Sequence, residues 1–231
     1  MISEFVYVIF IVSLLDYFLD VQYAIVMNHS KYQFAKKYVY IITIITGFCL
    51  DLFPHPHVFV DSSFVLHFDK EGFSGFQVRW VFDEIFSSMI IADYDGNRNK
   101  IMEPKEISAV KDGAFKNLIN FNYFTFIKFK NQKQIIKTVD NFTAEIIKDK
   151  IIYSFFVPVK MAARKSFHEV KLGSFDETYY CDIVYAESNL VTIKSDPDIE
   201  SKYEIVDETD SAYWGGQIIP KVILLKFKKQ N

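Results

Sequence analysis

The apolar run from Tyr38 to Phe53 divides this chain. It follows a basic stretch holding Lys31, Lys36 and Lys37, and it gives way to His55-Pro56-His57. A basic segment followed by an apolar core is the order of an export signal or a membrane anchor. Everything after it is then expected to fold outside the cytoplasm. Setting this N-terminal part aside leaves roughly 175 residues, one ordinary domain. Half of the chain is hydrophobic, with 24 Phe and 14 Tyr, so a core can form without disulfides or a structural metal. Cys49 lies inside the apolar run and Cys181 stands alone beyond it, so no intramolecular bridge is expected after export. A net charge of −3 offers no basic face for nucleic acid.

Two arrangements of the N-terminus are open. Phe5 to Val26 is also apolar but carries Asp16 and Asp20. The two apolar segments can form a hairpin whose lysine-bearing loop stays in the cytoplasm. Alternatively Met27 is the true start, Met27 to Lys37 is the basic region of a signal, and residues 1–26 are a spurious extension. The second arrangement is favoured. Cleavage before His55 would place Leu52 and Pro54 where small residues are wanted, so retention as an anchor stays open beside cleavage. The expected organisation is a hydrophobic signal or anchor over 1–54 and a periplasmic or otherwise extracytoplasmic domain over 55–231.

Beyond the boundary the hydrophobic period changes several times. His57 to Asp69 alternates, with Val58, Val60, Phe64, Leu66 and Phe68 apolar, which predicts a strand with an irregularity at Ser62-Ser63. Gly72 marks a turn, and Phe73 to Phe82 is a second strand. Phe82 to Ala92 takes a helical period, with Ile85, Met89 and Ala92 on one face and Asp83 and Glu84 in the first turn, where carboxylates complement the helix dipole. Pro104 to Leu118 reads as a second helix. Tyr123–Lys130, Asn141–Lys148, Ile151–Val159, Ser166–Leu172, Thr178–Ala186, Leu190–Lys194 and Lys221–Lys228 read as strands. The predicted fold is α+β, an antiparallel β-sandwich with an EF-hand-like helix-loop-helix inserted over 82–119.

Two sets of residues carry candidate chemistry. Neutral imidazoles are the commonest protein ligands for zinc, copper and nickel. His55 and His57, stiffened by Pro56, are therefore candidate metal ligands, although two polar residues can also simply open a strand. The second set is the loop Asp95 to Glu106. Asp95, Asn97, Asn99, Glu103 and Glu106 place oxygen-bearing side chains at loop positions one, three, five, nine and twelve, and Ile101 offers its carbonyl at seven. That is the ligand order of an EF-hand calcium loop. Lys100 stands where the turn glycine belongs, and two asparagines replace carboxylates. Calcium binding no tighter than about 10⁻⁴ M follows. A loop that merely caps two helices is the bland alternative.

Several segments together resemble one bacterial family, domain of unknown function 1007. They are His55 to Asp61, Arg79 to Glu84 with Ser88-Met89, the EF-like loop, Phe121 to Phe126, and Asp176 to Tyr180. The resemblance spans nearly all of residues 54–187. Members are often described as periplasmic components of ABC-type transport, commonly accompany permeases similar to nickel/cobalt transporters, and one branch is implicated in zinc uptake. The resemblance implies a periplasmic partner in transition-metal handling and establishes no reaction.

The expected function is binding of zinc or nickel for such a permease. His55 and His57 are the ligands, with Asp83, Glu84 or Asp176 completing the set, since a closed zinc site wants four ligands. The alternative is a calcium-stabilised structural or interaction module. A copper- or zinc-dependent metalloenzyme ranks last, because no general base or substrate pocket is legible. Trp80 and the run Phe121 to Phe126 read as core rather than ligand surface. Asp83, Glu84 and Asp176 also have ordinary readings as helix-cap and turn carboxylates.

Overall fold

The computed structural model describes residues 56–230. The chain divides after Pro54, so that His55–Asn231 stands as a unit of its own. It contains two β-sheets and two α-helices, an α+β arrangement. His55, Cys49 and both apolar N-terminal segments lie outside the described residues. Among the described residues no helix is long and apolar enough to cross a membrane.

Strands β1 (Val58–Asp69) and β2 (Gly72–Phe82) form the expected hairpin. Its turn is held by Asp69, whose Oδ1 accepts the N–H groups of Glu71 at 2.8 Å and Gly72 at 3.1 Å. β6 (Lys150–Ala162) pairs antiparallel with β2, and β5 (Asp140–Ile147) covers the far side of β6. No irregularity falls at Ser62-Ser63; the register of the hairpin shifts between His67 and Phe68 instead. Ser62 keeps the strand regular by facing inward, where its hydroxyl donates to the Val184 carbonyl at 3.0 Å and leaves no buried polar group unpaired.

The other edge of β1 departs from the antiparallel expectation. β8 (Cys181–Tyr185) and β9 (Val191–Lys194) both run parallel to β1, the first along Val58–Ser62 and the second along Phe64–His67. A tight hairpin enforces antiparallel pairing, whereas a crossover does not. The preceding strand, β7 (His168–Ser174), belongs to the other sheet, so β8 arrives by a crossover and takes the parallel direction.

The second sheet runs in the order β10, β11, β7, β3, β4. Here β3 is Thr125–Phe129, β4 is Gln132–Lys133, β10 is Ile199–Asp207 and β11 is Lys221–Lys229. β10 is absent from the sequence expectation. It is an edge strand, mostly exposed, with Glu200, Lys202 and Glu204 along it. Its pairing with β11 is supported by ion pairs, Lys228 with Glu200 at 2.9 Å and Lys226 with Glu204 at 3.5 Å, rather than by an apolar stripe.

The inner faces of the two sheets share one core. Phe64, Leu66, Phe76 and Val78 from the first sheet join Leu172, Ile223, Leu225 and Phe227 from the second. Phe73 and Phe68 both meet the Phe227 ring, at 5.9 and 5.4 Å. Each fully buried phenylalanine contributes about 1.5–3 kcal/mol from burial alone. Trp80 is 1 % exposed, packs edge-on against Phe155 at 4.9 Å, and donates its indole N–H to Ser174 Oγ at 3.1 Å.

Helix α1 (Glu84–Tyr94) follows β2, and helix α2 (Pro104–Val110) follows the loop. The second helix ends well before Leu118. A widened π turn over Lys111–Phe115 interrupts it, followed by 3₁₀ turns that break at a kink where Asn122 and Tyr123 take left-handed backbone. This segment delivers Phe115, 1 % exposed, onto Phe142 at 4.2 Å. Helix α1 also turns a different face inward from the one its pattern suggests. Ser87 and Ile90 are buried and Phe86 stacks on Phe82 at 4.6 Å, while Ile85 and Met89 face out.

Candidate functional site

The start of β1, the end of β2 and the start of β8 lie side by side, because Val60 pairs with Phe82 and Val58 with Cys181. This end of the first sheet receives most of the candidate transition-metal residues. His57 donates its backbone N–H to the Tyr180 carbonyl at 2.9 Å, and its ring lies 5.0 Å from that of Tyr180. Asp83 sits one strand away. Its Oδ1 accepts the N–H groups of Ile85 and Phe86 at 2.8 and 2.9 Å, which caps α1, and its Oδ2 accepts the Phe59 N–H at 2.8 Å. Glu84 is exposed in the first turn of α1.

Asp176 is 1 % exposed. Its Oδ1 accepts the Thr178 N–H at 2.9 Å and the Thr178 hydroxyl at 2.7 Å, and its Oδ2 accepts the Cys181 N–H at 3.0 Å. These three donors satisfy the buried carboxylate. Burial pushes the Cys181 thiol up to about 12, and the carboxylates of Asp176 and Asp83 add to the shift. The thiol therefore stays protonated and unreactive at neutral pH. Each of the two aspartates has three acceptor positions filled by protein donors. Among the described residues no group of three or more His, Cys, Asp and Glu side chains is arranged to hold a metal ion.

The loop between the helices is built around Asp95, which ends α1 and is 3 % exposed. Its carboxylate accepts the N–H groups of Asn99 at 3.2 Å and Lys100 at 3.0 Å. Asn97 and Asn99 direct their amides onto Glu103 at 3.0 and 2.7 Å, and each accepts a backbone N–H two residues further on. Glu106 reaches back to the N–H groups of Gly96 at 2.9 Å and Glu103 at 3.0 Å. A hydrogen bond with the Glu106 carboxyl, followed by those from Asn97 and Asn99, holds Glu103 below the usual carboxylate range. The Ile101 side chain is exposed, and its N–H donates to Asn99. Lys100 takes the turn that glycine normally takes, at φ 61°. Its ammonium points away from the loop oxygens, onto Asp149 in the β5–β6 turn at 2.6 Å. That contact partly offsets the positive charge that Lys100 brings to the loop.

Sequence reasoning did not anticipate the aromatic residues around His57. Tyr179 (φ 57°) and Trp214 (φ 50°) both adopt left-handed backbone, unusual for aromatic residues, and their rings meet at 5.0 Å. Trp214-Gly215-Gly216 forms the tip of a small hairpin closed by Tyr213 and Ile218. The signal available in the sequence was the pair of glycines after an aromatic residue, which marks a turn.

The sequence profile of the family described as Protein of unknown function (DUF1007) matches residues 40–212. The chain belongs to this family. The match includes every candidate residue named above and stops short of Trp214 and β11. An uncharacterized 15.5 kDa protein in the trpE 3' region of Spirochaeta aurantia is 25 % identical over 131 residues, which is 57 % of this chain and 93 % of that protein. An uncharacterized protein of Haemophilus influenzae is 26 % identical over 140 residues, 59 % of this chain and 66 % of that protein.

Proposed function

We propose that this DUF1007 member is an extracytoplasmic binding component for a divalent transition metal, zinc or nickel, acting beside a membrane permease of nickel/cobalt-transporter type. The observation that carries the reading is the company of His57: Asp83 and Asp176 lie at the same end of the first sheet. Their carboxylates are largely spent on backbone donors, so they frame the surroundings of His57 rather than supply the main ligands. His55 and His57 are the primary ligands, and an acceptor position of Asp83, Glu84 or Asp176 completes the set. Zinc or nickel titrated calorimetrically into the purified full-length chain is expected to bind, with affinity falling as the buffer is made acid, because a protonated imidazole cannot ligate. Equal affinity in the His55→Ala, His57→Ala double variant would overturn this assignment.

A second reading is favoured by the loop geometry. The oxygen-bearing side chains of Asp95, Asn97, Asn99, Glu103 and Glu106 are knitted together in one turn, with Lys100 in the left-handed conformation that an EF-hand turn requires. On this reading calcium stabilises an EF-hand-like insertion in a β-sandwich. Thermal melting is expected to shift upward only at millimolar calcium, since stabilisation follows the ratio of ligand to dissociation constant, about 2.7 kcal/mol at a hundredfold excess. Asp95→Ala is expected to lower the melting temperature and to abolish the calcium increment while zinc binding at the histidines persists. Loss of zinc binding in a folded Asp95→Ala protein would show that loop and histidines form one coupled site.

A further inference from the structure

The same end of the domain carries a concentration of exposed apolar side chains that the metal reading does not use. Ile85 is 75 % exposed, Met89 55 %, Phe59 52 %, Tyr180 52 % and Trp214 46 %. The contacts already described bring their chain positions to this end of the first sheet. Asp83 bonds the backbone N–H of both Phe59 and Ile85. Met89 lies one turn beyond Ile85 on α1. Tyr180 meets His57, and Trp214 meets Tyr179 next to it. Ile85 and Met89 face solvent one turn apart on a helix that buries Ser87 and Ile90, and apolar side chains exposed as neighbours, rather than scattered singly, mark an interaction surface.

What covers this end follows from the chain itself. The first strand of the domain, β1, begins at Val58 beside this patch, and the apolar run Tyr38 to Phe53 ends five residues before it in the sequence. Five extended residues span at most about 18 Å. If the apolar run lies in a membrane, this end of the domain is confined to the bilayer surface by chain length alone. Its composition suits that place. Tyrosine and tryptophan favour the headgroup layer, where a polar edge stays wet and the ring body is buried, and aliphatic neighbours reach the acyl boundary. Glu84 and Asp182 at the same end argue against attraction to anionic lipid, so the contact is apolar and aromatic rather than electrostatic.

We propose that this end of the domain rests on the lipid bilayer, with Phe59, Ile85, Met89, Tyr180 and Trp214 in the headgroup layer. The proposal rests on the reading of Tyr38–Phe53 as membrane-embedded, and the test separates the two. The chain has two tryptophans, Trp80 in the core and Trp214 on this face. The full-length protein is reconstituted into phosphatidylcholine vesicles and into vesicles whose acyl chains are brominated near the headgroup. Flotation with the vesicles reports the membrane segment. Quenching of tryptophan emission by the brominated lipid reports the face. The wild type is expected to float and to lose much of its emission, and Trp214→Phe is expected to float with the remaining Trp80 emission unquenched. Ile85→Asp with Met89→Asp is expected to float with weaker quenching of Trp214. A protein that floats while Trp214 remains unquenched by the lipid and open to iodide would overturn the docking and leave the membrane segment standing. A protein that does not float would overturn both.

Discussion

Trp80→Ala is expected to cost about 3–5 kcal/mol of folding stability, the range for truncating a large buried aromatic side chain. Trp80 stands at the centre of the shared core, 1 % exposed, against Phe155, Phe82 and Phe124. It also ties the two sheets through a relay: its indole N–H donates to Ser174 Oγ, which donates to the Phe124 carbonyl at 2.8 Å. Alanine removes the packing and the donor together. Trp80→Phe keeps much of the packing and loses the donor. Because Ser174 retains its own donation to Phe124, that variant is expected to cost clearly less. Urea unfolding followed by far-ultraviolet circular dichroism gives both values from the shift in midpoint at constant slope. A cost below about 1 kcal/mol for Trp80→Ala would be that of a surface residue, and would remove Trp80 from the core.

Trp80 illustrates what could be read from the chain. Its place in an alternating run fixes which face of β2 it occupies, and burial follows once that face is inward. The hairpin β1–β2, the two helix starts and most strands were legible for the same reason, since each carries a periodic apolar signal. β10 was not, because an exposed edge strand held by Glu–Lys pairs has no such signal. The direction of β8 and β9 was not, because local pattern does not encode which sheet a strand joins. The early end of α2 was not, because the widened turn answers to the position of Phe115 in the core and not to local propensity. At the candidate site, the sequence offered Asp83 and Asp176 as carboxylates that could complete a ligand set but could not tell how many of their acceptor positions were taken. That depends on turn geometry: the Asp176-Glu177-Thr178 turn and the Asp83 cap each bring backbone donors onto the side chain.

A second large effect is expected at a residue the sequence did not distinguish. Glu208→Ala is expected to cost about 3–5 kcal/mol, the range for breaking a buried ion pair by removing one partner. Glu208 is 1 % exposed. Its Oε1 accepts from the Lys128 ammonium at 2.7 Å and its Oε2 from the Lys171 ammonium at 2.6 Å. It thereby pins the start of the 208–220 segment to β3 and β7 on the outer face of the second sheet. On that side Phe126, Phe175 and Val222 form a small second core with Val206 and Tyr213. Without Glu208, the largely buried Lys128 keeps only the exposed Asp210, at 2.9 Å. Replacing Glu208 and both lysines by apolar residues of similar volume is expected to recover much of the loss, because the cost lies in the uncompensated charge and not in an absent attraction.

Acid provides an independent check. Burial alone would push the Glu208 carboxyl up, but hydrogen bonds and charge from Lys128 and Lys171 outweigh it and hold it below its ordinary 4.5. The folded state therefore binds this proton less readily than the unfolded chain. The stabilisation is complete above 4.5 and is lost as the pH falls through the lower folded value. His67 and His168 are also lowered, first by burial and then by nearby lysine and arginine charge, but their losses begin higher, below the ordinary 6.5. Glu208→Ala is thus expected to flatten the stability curve below about pH 4.5 and to leave the onset of the histidine loss, just below 6.5, unchanged. Urea midpoints measured across pH 3 to 7 on both proteins decide the matter. A variant as stable as the parent at pH 7, with the same acid limb, would mean that the Lys128–Glu208–Lys171 contact contributes nothing to holding the segment down.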